Sequence, residues 1–181
     1  MINVLNEYVK SDLYRYYGKC DLKTFIKGYY KNRAFRLQVA LRLSQAKGVT
    51  KILGNILWAI NGSKQHIQIS KKQRIGYGLY IGHSGPVLIN PTAVIGNNVN
   101  LSQFTSIGSN HGKAATIGDN VYIGPSVCVV EDVVIGNNVT IGAGSVVTKD
   151  IPDNATAAGN YAKVLNYDNP GRYVQNIYQW E

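Results

Sequence analysis

Three histidines, His66, His83 and His111, are the side chains of this sequence best suited to moving a proton near neutral pH, because imidazole titrates at about 6.5. A lone imidazole can remove a hydroxyl proton as the oxygen attacks a carbonyl, the chemistry of general-base catalysis. Zinc ligation is not expected, because spacings of 17 and 28 residues give no close pair of histidine ligands. His83 lies in "LYIGHSGPVLINP" (79–91) and His111 in "IGSNHGKAAT" (107–116); each interrupts an otherwise regular run. His66 precedes that run without a motif, and a structural role is expected for it.

The run itself must position these histidines. Aliphatic residues recur at Ile69, Ile75, Ile81, Ile89, Ile95, Leu101, Ile107, Ile117, Ile123, Val129, Ile135, Ile141 and Val147. Every step is six residues except eight around His83 and ten around His111. A period of six fits neither an α-helix nor an alternating strand, whereas a short strand and a tight turn consume six residues together. Three such faces close a triangular coil, with the aliphatics inward and Val99, Thr105, Val121, Val127, Val133, Val139 and Ser145 filling the corners. "IGNNV", at 95–99 and 135–139, supplies Gly and Asn where the backbone must turn left-handed. The pattern predicts a parallel β-helix of about four turns, on the order of 20 Å tall. Two extra residues at His83 and four at His111 lift these loops off the regular wall.

The 181-residue chain suits one domain with an accessory segment. Before the repeats the texture is helical: Phe35, Val39 and Leu43 share a side, with Ala34 and Leu41 near them, followed by Ile52, Ile56, Leu57 and Ile60. Gly18, Gly28, Gly48 and Gly62 divide this region into about four short helices, expected to pack together and cap the first rung. The organisation read from these patterns is a basic α-helical segment over 1–64, the β-helix over 65–165 and an irregular tail with one short helix over 166–181. Residues 1–74 hold 15 Lys and Arg against 3 Asp and Glu, while residues 75–181 hold 4 against 7. A basic half suits an anionic partner or a solvated helical face. Tyrosines interleaved with Lys and Arg in residues 1–30 suit a membrane interface or a subunit contact. Cys20 and Cys128 fit no disulfide framework, and with no leader or membrane-spanning pattern a cytoplasmic location is expected.

The hexapeptide run, the "GHSG" break and the ending "IGAGSVVTKDIPDNATAAGNYAKV" resemble the left-handed β-helix acyltransferases, in particular serine O-acetyltransferases and the related enzymes that O-acetylate surface polysaccharides. The resemblance implies a left-handed coil, a homotrimer with sites between subunits, and acetyl-CoA as donor. It makes His83 the catalytic base and points to His111 and Asn110 for acceptor binding, although ungapped matching of the family's second histidine falls on Ala114. Acetyl-CoA is expected near Gly108, Gly124, Ala143 and Lys163; Tyr161 replaces the proline usual in the terminal motif. Where serine enzymes carry carboxylates around the base, this chain has Gln68 and Gly82, and Lys113 stands for an arginine. A serine ammonium calls for a carboxylate partner, whereas a sugar needs hydrogen-bonding groups such as Ser84, Asn110 and Gln103. A capsular or other surface-glycan sugar is therefore the expected acceptor, and His83 would be oriented by Gln68, a backbone carbonyl or water. A serine O-acetyltransferase, a zinc carbonic anhydrase and a non-catalytic scaffold on the same coil remain alternatives. The basic helices are expected to reach an anionic membrane; no nucleic-acid partner is expected.

Overall fold

The computed structural model describes residues 6–62, 66–83 and 85–179. Four helices come first: α1 (Glu7–Tyr17), α2 (Leu22–Lys31), α3 (Arg33–Ser44) and α4 (Gly48–Asn61). Short strands then form three sheets. The first face stacks β1 (Ile67–Gln68), β4 (Val87–Ile89), β7 (Ser106–Gly108), β10 (Cys128–Val130) and β13 (Val146–Val147). The second stacks β2 (Arg74–Ile75), β5 (Val94–Ile95), β8 (Thr116–Ile117) and β11 (Val134–Ile135). The third stacks β3 (Tyr80–Ile81), β6 (Asn100–Leu101), β9 (Tyr122–Ile123), β12 (Thr140–Ile141) and β14 (Thr156–Ala158), with β15 (Lys163–Asn166) antiparallel at its end. From β1 to β13 successive strands visit the three faces in turn and each from β4 onward stacks in parallel on the strand three earlier, while β14 stacks on β12; this defines a parallel β-helix.

The predicted core is the observed one. Ile89 pairs with Ile107 and Ile107 with Val129; Ile95 pairs with Ile117; Leu101 pairs with Ile123. Every repeat aliphatic is buried except Ile75, half-buried at the capped end, and the seven corner residues are buried with them. The coil runs one rung beyond the four turns of the repeat. Ile151 bridges to Ile135 and Ala157 pairs with Ile141, so an irregularly spaced aliphatic and an alanine complete a fifth rung. At one corner Asn98, Asn120, Asn138 and Asn154 take φ values of 53°, 55°, 56° and 65°, and Asn120 and Asn138 each donate to the next asparagine below. Asparagine tolerates this left-handed conformation better than other side chains do.

The helices close the open first rung with buried polar side chains. An exposed sheet edge would present unpaired N–H and C=O groups. Here Ser11 Oγ accepts from Gly78 N–H, Asp12 from Leu79 N–H and the Tyr16 hydroxyl from Ile81 N–H. Gln38 donates to Leu79 C=O, Arg15 to Gly78 C=O, and Arg42 to the carbonyls of Ile75 and Gly76. Arg42 also clamps the Asp12 carboxylate with Nε and Nη2, at 2.9 and 3.0 Å. Burial pushes the Asp12 carboxyl up, against the pull of Arg42. Phe35, Val39 and Leu43 pack with Val9 and Leu13 in a second cluster, while Ala34, Leu37 and Leu41 face the coil core.

Three helix expectations change. Gly28 lies inside α2 and does not end it: the Tyr17 ring would lie 2.9 Å from a Cβ there, and Asn32 both closes α2 and caps α3. Ile52, Ile56 and Ile60 of α4 point outward and are not core. The described tail contains no helix; beyond β15 it runs as a strap back along the third face.

Candidate functional site

His83 is exposed at the corner between the third and first faces, immediately after β3. The register isolates its insertion: Ile81 and Ile89 are eight residues apart, whereas their partners one rung down, Leu101 and Ile107, are six apart. The His83 carbonyl accepts from Gly85 N–H at 3.0 Å, closing a tight turn that carries the residue outward.

His83 borders two clefts that share Tyr16, Tyr80 and Gly82 in their walls. The first, about 260 Å³, is walled by Arg15 and Tyr16 of α1, by Tyr80, Asn100, Ser102 and Tyr122 of the third face and its corner, and by Tyr173 of the tail. The second lies among Tyr16, Tyr17, Lys31 and Asn32. Tyr16 and Tyr80 have ring centroids 4.6 Å apart, and Tyr122 and Tyr173 4.9 Å. Among the described residues no carboxylate lines either cleft.

Arg15 ties the first cleft together. Its Nη1 donates to Gly78 C=O at 2.7 Å and its Nε to Gln175 C=O at 2.9 Å, while Nη2 meets Asn100 Oδ1. Burial lowers its pKa to about 10, opposed by Asp12. Asn100 Nδ2 donates to Tyr173 C=O, and Asn98 exchanges two hydrogen bonds with Tyr178, so the tail is held along the wall. Sequence reasoning missed this wall. A signal existed: Tyr80, Asn100 and Tyr122 are the outward residues immediately before three successive inward aliphatics, and two of them are unusually large.

The other predicted residues divide by corner. Gln103 lies one rung below the His83 loop, its Cβ 2.6 Å from where a Cβ on Gly85 would stand, and its Oε1 is buried without a hydrogen-bond partner. Gly124 and Ala143 follow down the same edge, after β9 and β12. Gln68 does not reach these clefts; it lines a separate groove with Trp58, His66, Pro86 and Leu88. Ser84 lies outside the described residues. Gly108, Asn110 and His111 sit across the first face, at its corner with the second. Their register again isolates the insertion: Ile107 and Ile117 are ten residues apart, and their partners Val129 and Ile135 six. Lys163 is exposed on β15, opposite Ala158.

Glu131, not singled out from sequence, holds the His111 loop. It accepts from Ser109 Oγ at 2.6 Å and from the N–H groups of Asn110 and His111, and it lies 3.3 Å from His111 Nδ1. The hydrogen bond from Ser109, helped by these backbone donors, lowers the Glu131 pKa to about 2. The His111 side chain is 85% exposed.

Gly108 and Gly82 are glycines that the chain's own packing does not demand. A Cβ on Gly108 would meet nothing within 4 Å, one on Gly82 would meet Tyr80 at an ordinary 3.6 Å, and neither residue has a positive φ. Room of this kind is what close approach by a bound molecule or another subunit uses.

Comparison with known proteins fits this architecture. Residues 114–149 match the family described as "Bacterial transferase hexapeptide (six repeats)". The serine acetyltransferase of Helicobacter pylori is 30% identical over 155 residues, covering 83% of this chain and 88% of that protein. The mitochondrial serine acetyltransferase 3 of Arabidopsis thaliana is 42% identical over 102 residues, 54% of this chain but 26% of its own length. The crystal structure of Neisseria gonorrhoeae serine acetyltransferase in complex with serine superposes with a TM-score of 0.69 at 27% identity, covering 87% of this chain and 67% of that one. The chain therefore belongs to the hexapeptide-repeat, left-handed β-helix transferase family, among relatives named serine acetyltransferases. It spans less than half the length of the Arabidopsis relatives it matches.

Proposed function

We propose that this chain is an acetyl-CoA-dependent O-acetyltransferase in which His83 is the general base. The observation that carries the reading is the His83 corner: an imidazole lifted off the wall by two inserted residues, beside an open polar cleft, in a family of acetyltransferases. His83 takes the proton of an acceptor hydroxyl as its oxygen attacks the thioester carbonyl. The C–S bond then breaks, coenzyme A leaves as the thiol after taking up a proton, and backbone N–H groups stabilise the transient oxyanion.

The donor fits the small-residue edge below His83. The pantetheine arm would run along the edge that carries Gly124 and Ala143, and exposed Lys163 provides a cation for phosphates. Gly108 and His111 lie across the first face from His83, so a site using both edges needs a neighbouring molecule; this favours a homotrimer with sites between subunits. Glycine at position 108 then makes room for the donor. A cytoplasmic reaction, drawing on the acetyl-CoA present there, is part of this reading.

Two acceptors are in contention. Serine is supported by the names of the relatives and by the serine bound to the Neisseria enzyme. A sugar hydroxyl, with a surface-polysaccharide precursor as its source, is supported by the cleft chemistry: tyrosine rings suited to a pyranose face, Ser102 and Asn100 as polar groups, and no carboxylate for an ammonium among the described residues that line it. The test is thiol release from acetyl-CoA with serine, nucleotide sugars and polysaccharide fragments, each repeated with His83→Ala. The variant is expected to lose about 10²–10⁴ in kcat; wild-type turnover would remove His83 from the chemistry. Release with serine alone selects the first acceptor, and release with a glycan the second. No release together with no coenzyme A binding would leave a scaffold.

A further inference from the structure

Helix α4 carries a stripe of aliphatic side chains that the fold leaves uncovered. Val49, Ile52, Leu53, Ile56 and Ile60 are 81%, 62%, 49%, 54% and 53% exposed. Their spacing of three, one, three and four residues puts them on one helical face. The opposite face is fixed: Gly54 is buried, and a Cβ there would collide with the backbone of Leu43 and Ser44, so α4 lies flat against α3 with its stripe outward. A lone convex helix face is no groove for a partner's helix.

The surroundings of the stripe are cationic. Lys51, Lys71 and Lys72 line the cleft along its flank with Asn55, to which Lys71 Nζ donates at 3.0 Å, and Lys47 precedes the helix. No Asp or Glu occurs between residues 22 and 118. α2 repeats the design, with Leu22, Ile26 and Tyr30 exposed at four-residue spacing beside exposed Lys23, Lys27 and Lys31. An isologous contact between two copies of α4 would bring lysine flanks together with no local carboxylate to meet them. No described helix is long and apolar enough to cross a membrane.

We infer that α4 docks the protein on an anionic lipid surface, the aliphatic stripe entering the headgroup boundary and the lysines meeting lipid phosphates. This moves the membrane-facing surface away from the tyrosines of α1 and α2, several of which pack inside the cap. The docking is independent of the acceptor's identity.

The test is co-sedimentation of the full chain with vesicles of equal parts phosphatidylglycerol and phosphatidylcholine, and with vesicles of phosphatidylcholine alone. Binding is expected only to the anionic vesicles, weakening as salt is raised, and falling about tenfold or more in I52S/I56S. K51Q/K72Q should keep its fold and lose the preference for anionic vesicles. Circular dichroism and thiol release report whether each variant remains folded. Absence of wild-type binding, or unchanged binding in I52S/I56S, overturns the proposal. A smaller mass for I52S/I56S in sedimentation velocity, with lipid binding unchanged, assigns the stripe to contacts between copies and overturns it as well.

Discussion

Single residues divide into those the repeat demands and those it merely permits, and the second group marks the chemistry. Gly108 is permitted: the Cβ added by Gly108→Ala meets nothing within 4 Å in the chain, so the melting temperature should hold while the KM for acetyl-CoA rises about tenfold, or 1.4 kcal/mol. Arg15 is demanded: Arg15→Met strands the acceptors of Gly78, Asn100 and Gln175, which should lower the urea-unfolding free energy by about 3 kcal/mol and expose residues 172–179 to protease. Glu131 gives a pH prediction. Its pKa is depressed from 4.5 to about 2 in the fold, so its hold on the His111 loop is complete above about pH 4.5 and is lost as pH falls towards 2. Amide exchange at Asn110 and His111, corrected for intrinsic rates, should accelerate through that window, and Glu131→Gln should remove the transition. His83 was legible because it breaks a count. Arg15 and Glu131 were not, because their partners lie 63 and 22 residues away and no local pattern encodes them.

Among the elements, strands were legible and helix faces only in part. A hexapeptide strand buries one aliphatic at a fixed interval, and a shift by one residue would turn that side chain outward, so period alone fixes register. Helices α3 and α4 show the limit of periodicity. Both have apolar spacing, yet α3 is buried nearly all round, against the coil, α1 and α4, while α4 buries one face and presents another to the outside. Periodicity reports that a face is apolar; it does not report what covers it. Gly54 is the local determinant of that outcome. Gly54→Val should push α4 off α3 and lower the melting temperature by several degrees, whereas Ile56→Ser, on the exposed side, should leave it nearly unchanged.

At the scale of the whole molecule, the cap and the coil solve each other's problem. The coil offers an edge of unpaired backbone groups, and the helices offer buried Asp12, Arg15, Gln38 and Arg42, each of which completes its hydrogen bonding on that edge. Removal of residues 1–61 should therefore yield a β-helix that self-associates through its first rung, detectable by light scattering at concentrations where the full chain stays clear. The strap formed by residues 171–179 was illegible because it has no periodicity; its hydrogen bonds go to side chains and backbone distributed over several rungs.

The asparagine ladder at the corner carries a further consequence. The N–H groups of Asn98, Asn120, Asn138 and Asn154 each donate to a carbonyl of the preceding turn, and Asn120 leans on Asn138 and Asn138 on Asn154, so each turn is tied to its neighbour, as teeth are in a zipper. The helical cap clamps one end of that zipper, and the far end is closed by a single hairpin. Thermal opening should begin at the hairpin and travel toward the clamp, leaving the histidine corner among the last parts of the coil to open.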